Sequence, residues 1–459
     1  MKTLKISNEV CKNLSTHLNG FCTNRNKVRF VLGVRTDEVN MDCVATIVKG
    51  NSMAKIGFKV KKPRDYDMIV KEAGALYATF NVSAEQFCIY MSSLINYERD
   101  ISLEIAEKKP AIILSAGSDA KVPLPTIQDS EVEPELPDDK SENLVNIMID
   151  GNKFLKFLKR GGFLASSKED IRFITDRVSF CMSREEQDML YAYSSNTRAI
   201  SQAWIPVECR FMTNNLASLF LKLKMNTLSI ESKKLLENKI KKIRNPDDPS
   251  ELQAIARDEG YNEKQYLFSI PYSAMVIIRS IVVNTEKVAI CVTANNIHIL
   301  AGNVLATFSL AGTVSPIYST VVAGWGNNNW DVKMRVDCEA LQKSVALLNI
   351  SKEQEPIRIE VKDKLTCSKG ELVTKTNIDE RGGKKIQVSV SVACDNLRNI
   401  LGNIDNGNLI ICAMQNIAHN PICFRNGDLE GNDVSHHVYA LPVINKQKEE
   451  ETRENESEE

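Results

Sequence analysis

Three stretches of this chain open with the same pattern, and this internal repeat limits the possible folds more than any other feature of the sequence. In each stretch an apolar strand ends in Ile or Val, a Ser or Asp follows, and a segment with helical periodicity begins. The three openings are Ile6-Ser7, Ile149-Asp150 and Val336-Asp337. Because Ser and Asp side chains accept hydrogen bonds from the free amides of a first helical turn, the pattern predicts three strand-helix units.

The helices after these openings carry apolar residues at helical spacing, so each is predicted to bury one face. The apolar residues are Val10, Leu14 and Leu18; Phe154, Phe157 and Leu158; and Leu341, Val345 and Leu348. A second helix is predicted later in each unit, after Val82-Ser83, Ile270-Pro271 and Val392-Ala393. Ser83 and Gln86 have the spacing of a capping box, and Pro271 suits a first helical turn. The sequence therefore predicts six helices, two in each unit.

Short strands separated by turn residues account for much of the remaining sequence, for example residues 288–293, 296–300 and 357–361. Two helices and several antiparallel strands in one unit indicate an α+β arrangement, in which the helices cover the apolar face of the sheet. The predicted fold is three repeated domains, each with two helices packed on antiparallel sheet.

Composition marks the predicted boundaries of the units. Residues 128–142 are polar, acidic and proline-containing, which is typical of a linker. Residues 210–264 interrupt the middle unit with a Lys-rich, helix-forming insertion, and the chain after Asn445 has no apolar residue, which predicts a disordered acidic tail. The predicted divisions are domain 1 at 1–127, a linker at 128–143, domain 2 at 144–330, domain 3 at 331–445 and the tail at 446–459.

Composition and motifs argue against several functional classes. The 58 basic and 59 acidic residues nearly cancel, so binding to nucleic acid would need basic side chains concentrated on one surface. Twelve cysteines without a C-x-x-C pair and five histidines without metal spacing predict buried thiols and ordinary histidines, with no metal or cofactor. No P-loop, G-x-S-x-G, H-E-x-x-H or dinucleotide motif is present, which argues against an enzyme. Without a long apolar run or a signal-peptide core, we expect a cytoplasmic protein with no membrane association.

The ends of the three units carry the more specific signals. Unit one closes with a strand, a Ser-Ala-Gly turn, a second strand and Leu124-Pro125. Unit two closes with Gly312, Pro316, Tyr318 and Val321 in a Gly-x-x-x-Pro-x-Tyr-x-x-Val spacing. Unit three closes with residues 421–425 and then the segment 437–444, which contains Leu-Pro-Val. Together these endings resemble those of the bacterial DNA polymerase III beta subunit family, the sliding clamps. The resemblance extends along nearly the whole chain apart from the insertion and the tail.

The resemblance implies a head-to-tail homodimer whose six domains close into a ring, with strand edges joining across the subunit interface. It implies a non-catalytic processivity factor that encircles duplex DNA without reading its sequence, and that is loaded by a clamp loader and tethers the replicative polymerase. A non-catalytic scaffold that reuses the fold without encircling DNA is the alternative. The sequence leaves open whether the ring closes, which partner peptides bind, and whether the protein is cellular or viral.

A clamp of this kind needs Lys and Arg on helices that face the DNA, because weak attraction to phosphate is independent of base sequence. The first helix of unit two is the strongest candidate, since Lys153, Lys156 and Arg160 lie within about 60° of one another on a helical wheel. Taken alone, an ordinary solvated helix face is the simpler interpretation. The full set of predicted DNA-facing residues is Lys153, Lys156, Lys159, Arg160, Arg25, Lys27, Lys12, Arg279, Lys343 and Arg398.

The resemblance also implies a pocket that binds short hydrophobic peptides of partner proteins. Where the family has Thr-Asp-Gly-His-Arg-Leu, this chain has the segment Ser194 to Ala199, in which the Arg is kept and Ser194 is a conservative change. This departure indicates a different peptide preference. The predicted pocket residues are Ser194, Asn196, Thr197, Arg198, Pro316, Val321, Tyr439, Leu441 and Pro442. The alternative is that these positions are core and turn residues.

Overall fold

The structure is a computed structural model, and the part of the chain that it describes has gaps. The described residues are 2–22, 26–36, 39–50, 52–64, 66–67, 76–105, 111–118, 120–127, 145–166, 175–184, 188–196, 198–211, 265–293, 295–311, 330–350, 355–384, 387–404, 407–414, 421–429 and 435–443. The predicted linker and tail lie outside them, as does nearly all of the insertion. Within the described residues the secondary structure is mixed, with helices and four antiparallel sheets.

Six helices occur in the described ranges, two for each predicted unit, as the sequence analysis expected. They are α1 (Asn8–Asn19), α2 (Ala84–Ile95), α3 (Gly151–Gly162), α4 (Tyr272–Val282), α5 (Cys338–Leu348) and α6 (Cys394–Asn403). The apolar stripes are buried as predicted, except that Val10 is only partly covered.

Four of the predicted caps are confirmed by hydrogen bonds from first-turn amides. The Ser7 and Ser83 hydroxyls accept from the N–H groups of Val10 and Gln86, at 3.3 and 3.4 Å. The carboxylates that precede α3 and α5 do the same, because Asp150 accepts from the Lys153 amide at 2.9 Å and Asp337 accepts from the Glu339 amide at 2.8 Å. Local sequence therefore determines where these four helices begin.

The other two helix starts differ from the expectation. Pro271 is the last residue of a strand and α4 begins at Tyr272, so the proline precedes the helix and is not in its first turn. Ala393, before α6, makes no capping hydrogen bond because its side chain has no acceptor.

The chain divides into two compact units, of which the first comprises Met1–Leu155, Val207–Glu263 and Ser273–Gly312. Its four-stranded sheet A has the order β1 (Lys2–Ile6), β6 (Ile101–Ile105), β7 (Ala111–Ala116), β8 (Ala120–Pro125). Its nine-stranded sheet B has the order β13 (Glu208–Phe211), β9 (Val145–Asp150), β15 (Lys287–Val292), β16 (Asn296–Ala301), β17 (Val304–Ser309), β4 (Ser52–Lys61), β3 (Asn40–Lys49), β2 (Lys27–Thr36), β5 (Ala78–Ser83). Strand β13 continues to Phe211, next to the start of the insertion predicted at about 210.

The second unit comprises Lys156–Pro206, Lys264–Tyr272 and Thr313–Glu459. Its nine-stranded sheet C has the order β14 (Gln265–Pro271), β10 (Arg177–Arg184), β11 (Asp188–Ser195), β12 (Ala199–Pro206), β26 (His436–Ala440), β25 (Ile422–Arg425), β24 (Asn408–Ala413), β18 (Val332–Asp337), β22 (Glu380–Gly383). Its four-stranded sheet D has the order β21 (Leu372–Thr376), β20 (Leu365–Lys369), β19 (Ile357–Val361), β23 (Val388–Val392). A large core cluster of this unit includes Leu341, Val345 and Leu348 of α5.

Both nine-stranded sheets cross the boundaries expected from the repeat. In sheet B, β17 of predicted domain 2 pairs with β4 of predicted domain 1, with Val304 opposite Ile56. In sheet C, β12 pairs with β26 of predicted domain 3, with Ile200 opposite Tyr439. Strand pairing therefore joins successive repeats, and the three-domain division stays a prediction drawn from the sequence pattern.

Candidate DNA-facing helices and partner-peptide pocket

Helix α3 exposes three lysines and buries its aromatic side. Lys153, Lys156 and Lys159 are exposed, whereas Phe154 and Phe157 are at most 2% exposed. The helix contains no acidic residue, so none of its own side chains neutralises the lysines. This arrangement can attract phosphate groups without contacting bases.

Arg160 does not belong to this exposed face, and we remove it from the predicted DNA-facing set. Its side chain is only 9% exposed, and its guanidinium donates to the Ser435 hydroxyl at 2.8 Å. On the helical wheel Arg160 lies about 60° from the buried Phe157. Lys153 lies only about 40° from Phe157 and is exposed, so position on the wheel does not explain the burial of Arg160. Its burial comes from the contact with Ser435 at this end of the helix.

Buried polar contacts hold this end of α3 and were not foreseen from the sequence. The Ser201 hydroxyl donates to the Arg160 carbonyl at 2.8 Å and lies 2.9 Å from Nε2 of His436, which is 1% exposed. The sequence carried no signal for this network, because Arg160 and Ser435 are 275 positions apart.

The remaining predicted DNA-facing residues are spread singly over other elements. Lys12 on α1, Lys27 at the start of β2 and Arg398 on α6 are exposed, and Arg279 on α4 is half-buried. Lys343 on α5 is exposed but forms an ion pair with Glu339 at 2.8 Å, which offsets its charge. Arg25 lies outside the described residues.

Part of the predicted peptide pocket is assembled around a turn between β11 and β12. The Asn196 carboxamide oxygen accepts from the Ala199 amide at 3.0 Å, and its nitrogen donates to Asn396 of α6 at 2.8 Å. The Leu441 amide donates to the Arg198 carbonyl at 2.8 Å. Arg198 is exposed, and Leu441 is partly so, as is Pro442. Asn396 was missed because nothing in a single sequence links it to a turn 200 positions away.

Two predicted pocket residues are core residues in this structure. Tyr439 is fully buried in a cluster with Tyr193 and Ile200, and its hydroxyl lies 2.8 Å from Nδ1 of His437. Ser194 is also fully buried. Their side chains are therefore not accessible to a peptide, and we remove both from the predicted set. Thr197, Pro316 and Val321 lie outside the described residues.

In the described chain, sheet A ends on β1 and β8, and sheet D ends on β21 and β23. Just past β8, Thr126 forms an isolated bridge with Val82 of β5. In β8, Pro123 and Pro125 have no N–H, so the residues that donate to β7 are Ala120, Val122 and Leu124. The outward edge of β8 therefore offers three carbonyls but only the N–H of Lys121. A strand added there would gain fewer main-chain hydrogen bonds than usual.

Exposed aliphatic side chains occur on β21 and at the end of α5, two elements in contact with each other, and we call Leu347, Ile350, Leu372 and Val373 the α5–β21 patch. Their exposed fractions are 57%, 74%, 44% and 56%. The Ser344 and Thr376 hydroxyls, 3.1 Å apart, attach the helix to the strand. Aliphatic residues this exposed beside an open sheet edge are typical of a surface that binds another protein.

In the described part of the chain, no group of three His, Cys, Asp or Glu side chains is positioned to hold a metal ion. Likewise, none of the described helices has the length and apolarity needed to cross a membrane.

No protein-family model and no curated protein sequence matches this chain. Solved structures match along almost its entire length. The DNA polymerase III beta subunit of Thermotoga maritima has a TM-score of 0.67 at 11% identity, covering 96% of this chain and 99% of that one. The Helicobacter pylori beta clamp bound to a DNA ligase peptide has a TM-score of 0.66 at 11% identity, covering 96% and 100%.

The beta chain of Streptococcus pneumoniae DNA polymerase III has a TM-score of 0.65 at 14% identity, covering 97% of this chain and 100% of that one. At such low identity the likeness concerns the fold. The α+β fold expected from the repeat is confirmed, and this chain has the fold of the bacterial DNA polymerase III beta subunits, the sliding clamps.

Proposed function

We propose that this protein is a DNA sliding clamp, a non-catalytic processivity factor that encircles duplex DNA as a homodimer. The observation that carries the proposal is the match to clamp structures over 99–100% of their chains, which spans all three repeats. The ring needs no catalytic group, because holding DNA is a matter of topology and weak phosphate attraction.

In this proposal the two incomplete sheets supply the joint of the ring. Sheets A and D have four strands each, whereas sheets B and C have nine. Placing β8 of one copy beside β21 of a second copy would extend both short sheets and cover the α5–β21 patch. Because Pro123 and Pro125 remove donors from β8, the joint would rest on side-chain packing more than on main-chain hydrogen bonds.

Partner peptides would bind beside Arg198, Asn196 and Leu441, where an exposed cation and partly exposed apolar residues adjoin. The Helicobacter pylori beta clamp was solved bound to a DNA ligase peptide, which supports peptide binding as a proposal for this chain. We propose a replicative DNA polymerase and a clamp loader as partners of this surface.

A scaffold that does not encircle DNA is the second candidate, and the uneven distribution of basic residues favours it. Among the described helices, exposed lysines are concentrated on α3, whereas α2 has no basic residue and Lys343 of α5 is ion-paired. A scaffold would form the same fold without needing a basic surface in all three repeats.

Threading onto linear DNA separates the two candidates without a clamp loader. We would first measure the mass in solution by light scattering, where a dimer is about twice the 51.4 kDa of one chain.

The protein is then mixed with a duplex carrying biotin at both ends, with streptavidin added either before or after the protein. A ring should stay on the duplex through a high-salt wash only when streptavidin is added after the protein, because the ring must thread over a free end first. Cutting the blocked duplex should then release the ring.

A monomer, or retention that is the same for both orders of addition, would contradict the clamp and favour the scaffold. Direct electrostatic binding does not depend on free ends, so it gives equal signals before and after blocking.

Replacing Lys153, Lys156 and Lys159 together with Ala is expected to weaken binding to a short linear duplex. Log affinity decreases linearly with log salt concentration. If each lysine neutralises one phosphate, the magnitude of this negative slope should decrease by about 3. Fluorescence anisotropy at several salt concentrations measures this slope.

A matched variant removes three exposed lysines from a strand. Lys55, Lys59 and Lys61 of β4 are exposed on sheet B, and replacing them with Ala changes the net charge equally. We expect the slope of this variant to stay close to that of the unmodified protein. Equal losses in the two variants would show general charge attraction and no DNA-facing helix.

A further inference from the structure

Two cysteine thiols of the first unit lie against each other at the junction of α1 and α2. Cys22 follows the end of α1, and Cys88 is in the second turn of α2. Their sulfur atoms are 3.1 Å apart, although the residues are separated by 66 positions in sequence. A disulfide has a sulfur separation of about 2.05 Å, so closing this gap requires a movement of about 1 Å.

The two thiols differ in access. Cys22 is partly exposed, and Cys88 is 6% exposed. The Cys22 sulfur also lies 3.2 Å from the Leu18 carbonyl and 3.5 Å from the Ala84 carbonyl, which fix its position between the two helices. Cys22 is therefore more accessible than Cys88 to a reagent dissolved in water.

The electrostatic surroundings favour ionisation of the accessible thiol. The hydrogen bond with Cys88 lowers the pKa of Cys22, and the nearby Lys49 ammonium acts in the same direction, while burial and Glu85 oppose it. The same hydrogen bond raises the pKa of Cys88, together with burial. When one of the two thiols ionises, Cys22 is therefore the one that loses its proton first.

The other described cysteines lack this combination. Cys412 and Cys423 are directly opposite each other on β24 and β25, but both are at most 1% exposed. Cys394 is partly exposed, yet burial raises its pKa. Eight of the eleven cysteines whose side chains the structure describes are buried, as expected from the sequence, and Cys22 is an exception.

We propose that Cys22 and Cys88 are a redox-active pair, in which Cys22 is oxidised by hydrogen peroxide and Cys88 resolves it to a reversible disulfide. The Cys22 thiolate attacks one peroxide oxygen, giving a sulfenic acid and releasing hydroxide. The Cys88 sulfur then attacks the Cys22 sulfur, its proton passing to the departing hydroxyl as water. In total, two thiols lose two hydrogens and two electrons, and one peroxide becomes two waters.

The disulfide would join the end of α1 covalently to α2. These helices are already in contact, since the Ser15 and Ser92 hydroxyls are 3.0 Å apart. The bond therefore closes without moving one helix away from the other. A thiol such as glutathione or dithiothreitol reverses it by exchange.

Peptide mapping of the oxidised full-length chain tests the pair directly. After brief exposure to hydrogen peroxide and blocking of free thiols, we expect a linked peptide containing Cys22 and Cys88, which dithiothreitol removes. The link should be lost in Cys22→Ser and Cys88→Ser and kept in Cys412→Ser. Oxidation of other thiols while Cys22 and Cys88 remain unlinked, in protein that is still folded, would overturn the proposal.

Alkylation rates test the reactive cysteine without forming the disulfide. With iodoacetamide at pH 7, Cys22 is expected to react faster than Cys394, because the pKa of Cys22 is lowered by its hydrogen bond with Cys88 and that of Cys394 is raised by burial. Cys88→Ala should bring the Cys22 rate down towards that of Cys394. Equal rates for Cys22 and Cys394 in the unmodified protein would refute the assignment of Cys22 as the reactive thiol.

Discussion

Leu347→Asp is expected to turn the proposed dimer into monomers, raising its dissociation constant about a thousandfold. Leu347 is 57% exposed in the single chain and belongs to the α5–β21 patch. Covering a leucine at the joint contributes about 1.5–3 kcal/mol, and desolvating a carboxylate there costs several more. The total of about 4 kcal/mol corresponds to three orders of magnitude in affinity. Sedimentation or light scattering over a range of concentrations measures the change.

Ile89→Asp is the matched control, because Ile89 on α2 is 55% exposed and lies outside the patch. It should stay dimeric, and both variants should keep the circular dichroism of the unmodified chain. An unchanged dissociation constant for Leu347→Asp would show that α5 and β21 do not form the joint. Because the outward edge of β8 lacks two amide donors, main-chain pairing alone should not rescue the dimer.

Local features of the fold were predictable because their causes lie within a few residues. Ser7, Ser83, Asp150 and Asp337 cap helices because a side-chain oxygen next to a first turn meets free amides wherever it occurs. Apolar stripes likewise predicted which helix faces are buried, since the period of the helix is fixed.

Arg160 shows that helical periodicity alone does not predict whether a side chain is exposed. Its position on the helical wheel, close to Lys153, suggested exposure, but the end of α3 is covered by side chains such as Ser435 that are distant in sequence. A helical wheel gives the direction of a side chain. It does not tell which segment packs over that end of the helix.

The α5–β21 patch and the Cys22–Cys88 pair also depend on contacts between residues that are distant in sequence. The sequence indicated the patch in part, but it did not indicate the pair. Leu347 lies about 120° from Leu341 and about 100° from Leu348 on the helical wheel, well away from the buried stripe of α5. That offset is a recognisable sign of a second apolar surface. By contrast, nothing short of the fold brings Cys22 to Cys88, because two separate helices must pack before the sulfurs meet.

Gly151→Ala is expected to destabilise the fold by about 3 kcal/mol, the largest stability effect we predict for a change of one methyl group. A Cβ at Gly151 would overlap the Thr285 carbonyl oxygen and lie 2.8 Å from its carbon. Both obstacles are backbone atoms, so no side chain can rotate away. The Gly151 amide also donates to the Glu286 carbonyl at 3.0 Å, which holds the two segments together at the start of α3. Urea unfolding followed by circular dichroism measures the loss.

Gly402→Ala in α6 is the matched control, and we expect an effect of opposite sign. A Cβ there meets no atom within 4 Å, so the substitution should add about 0.5 kcal/mol through helix propensity. The two variants make the same chemical change in a helix and differ only in what surrounds the new methyl group. Equal effects would mean that α3 shifts freely away from Thr285. A loss confined to Gly151→Ala would instead show that close contact with this turn fixes the start of the helix that carries Lys153, Lys156 and Lys159.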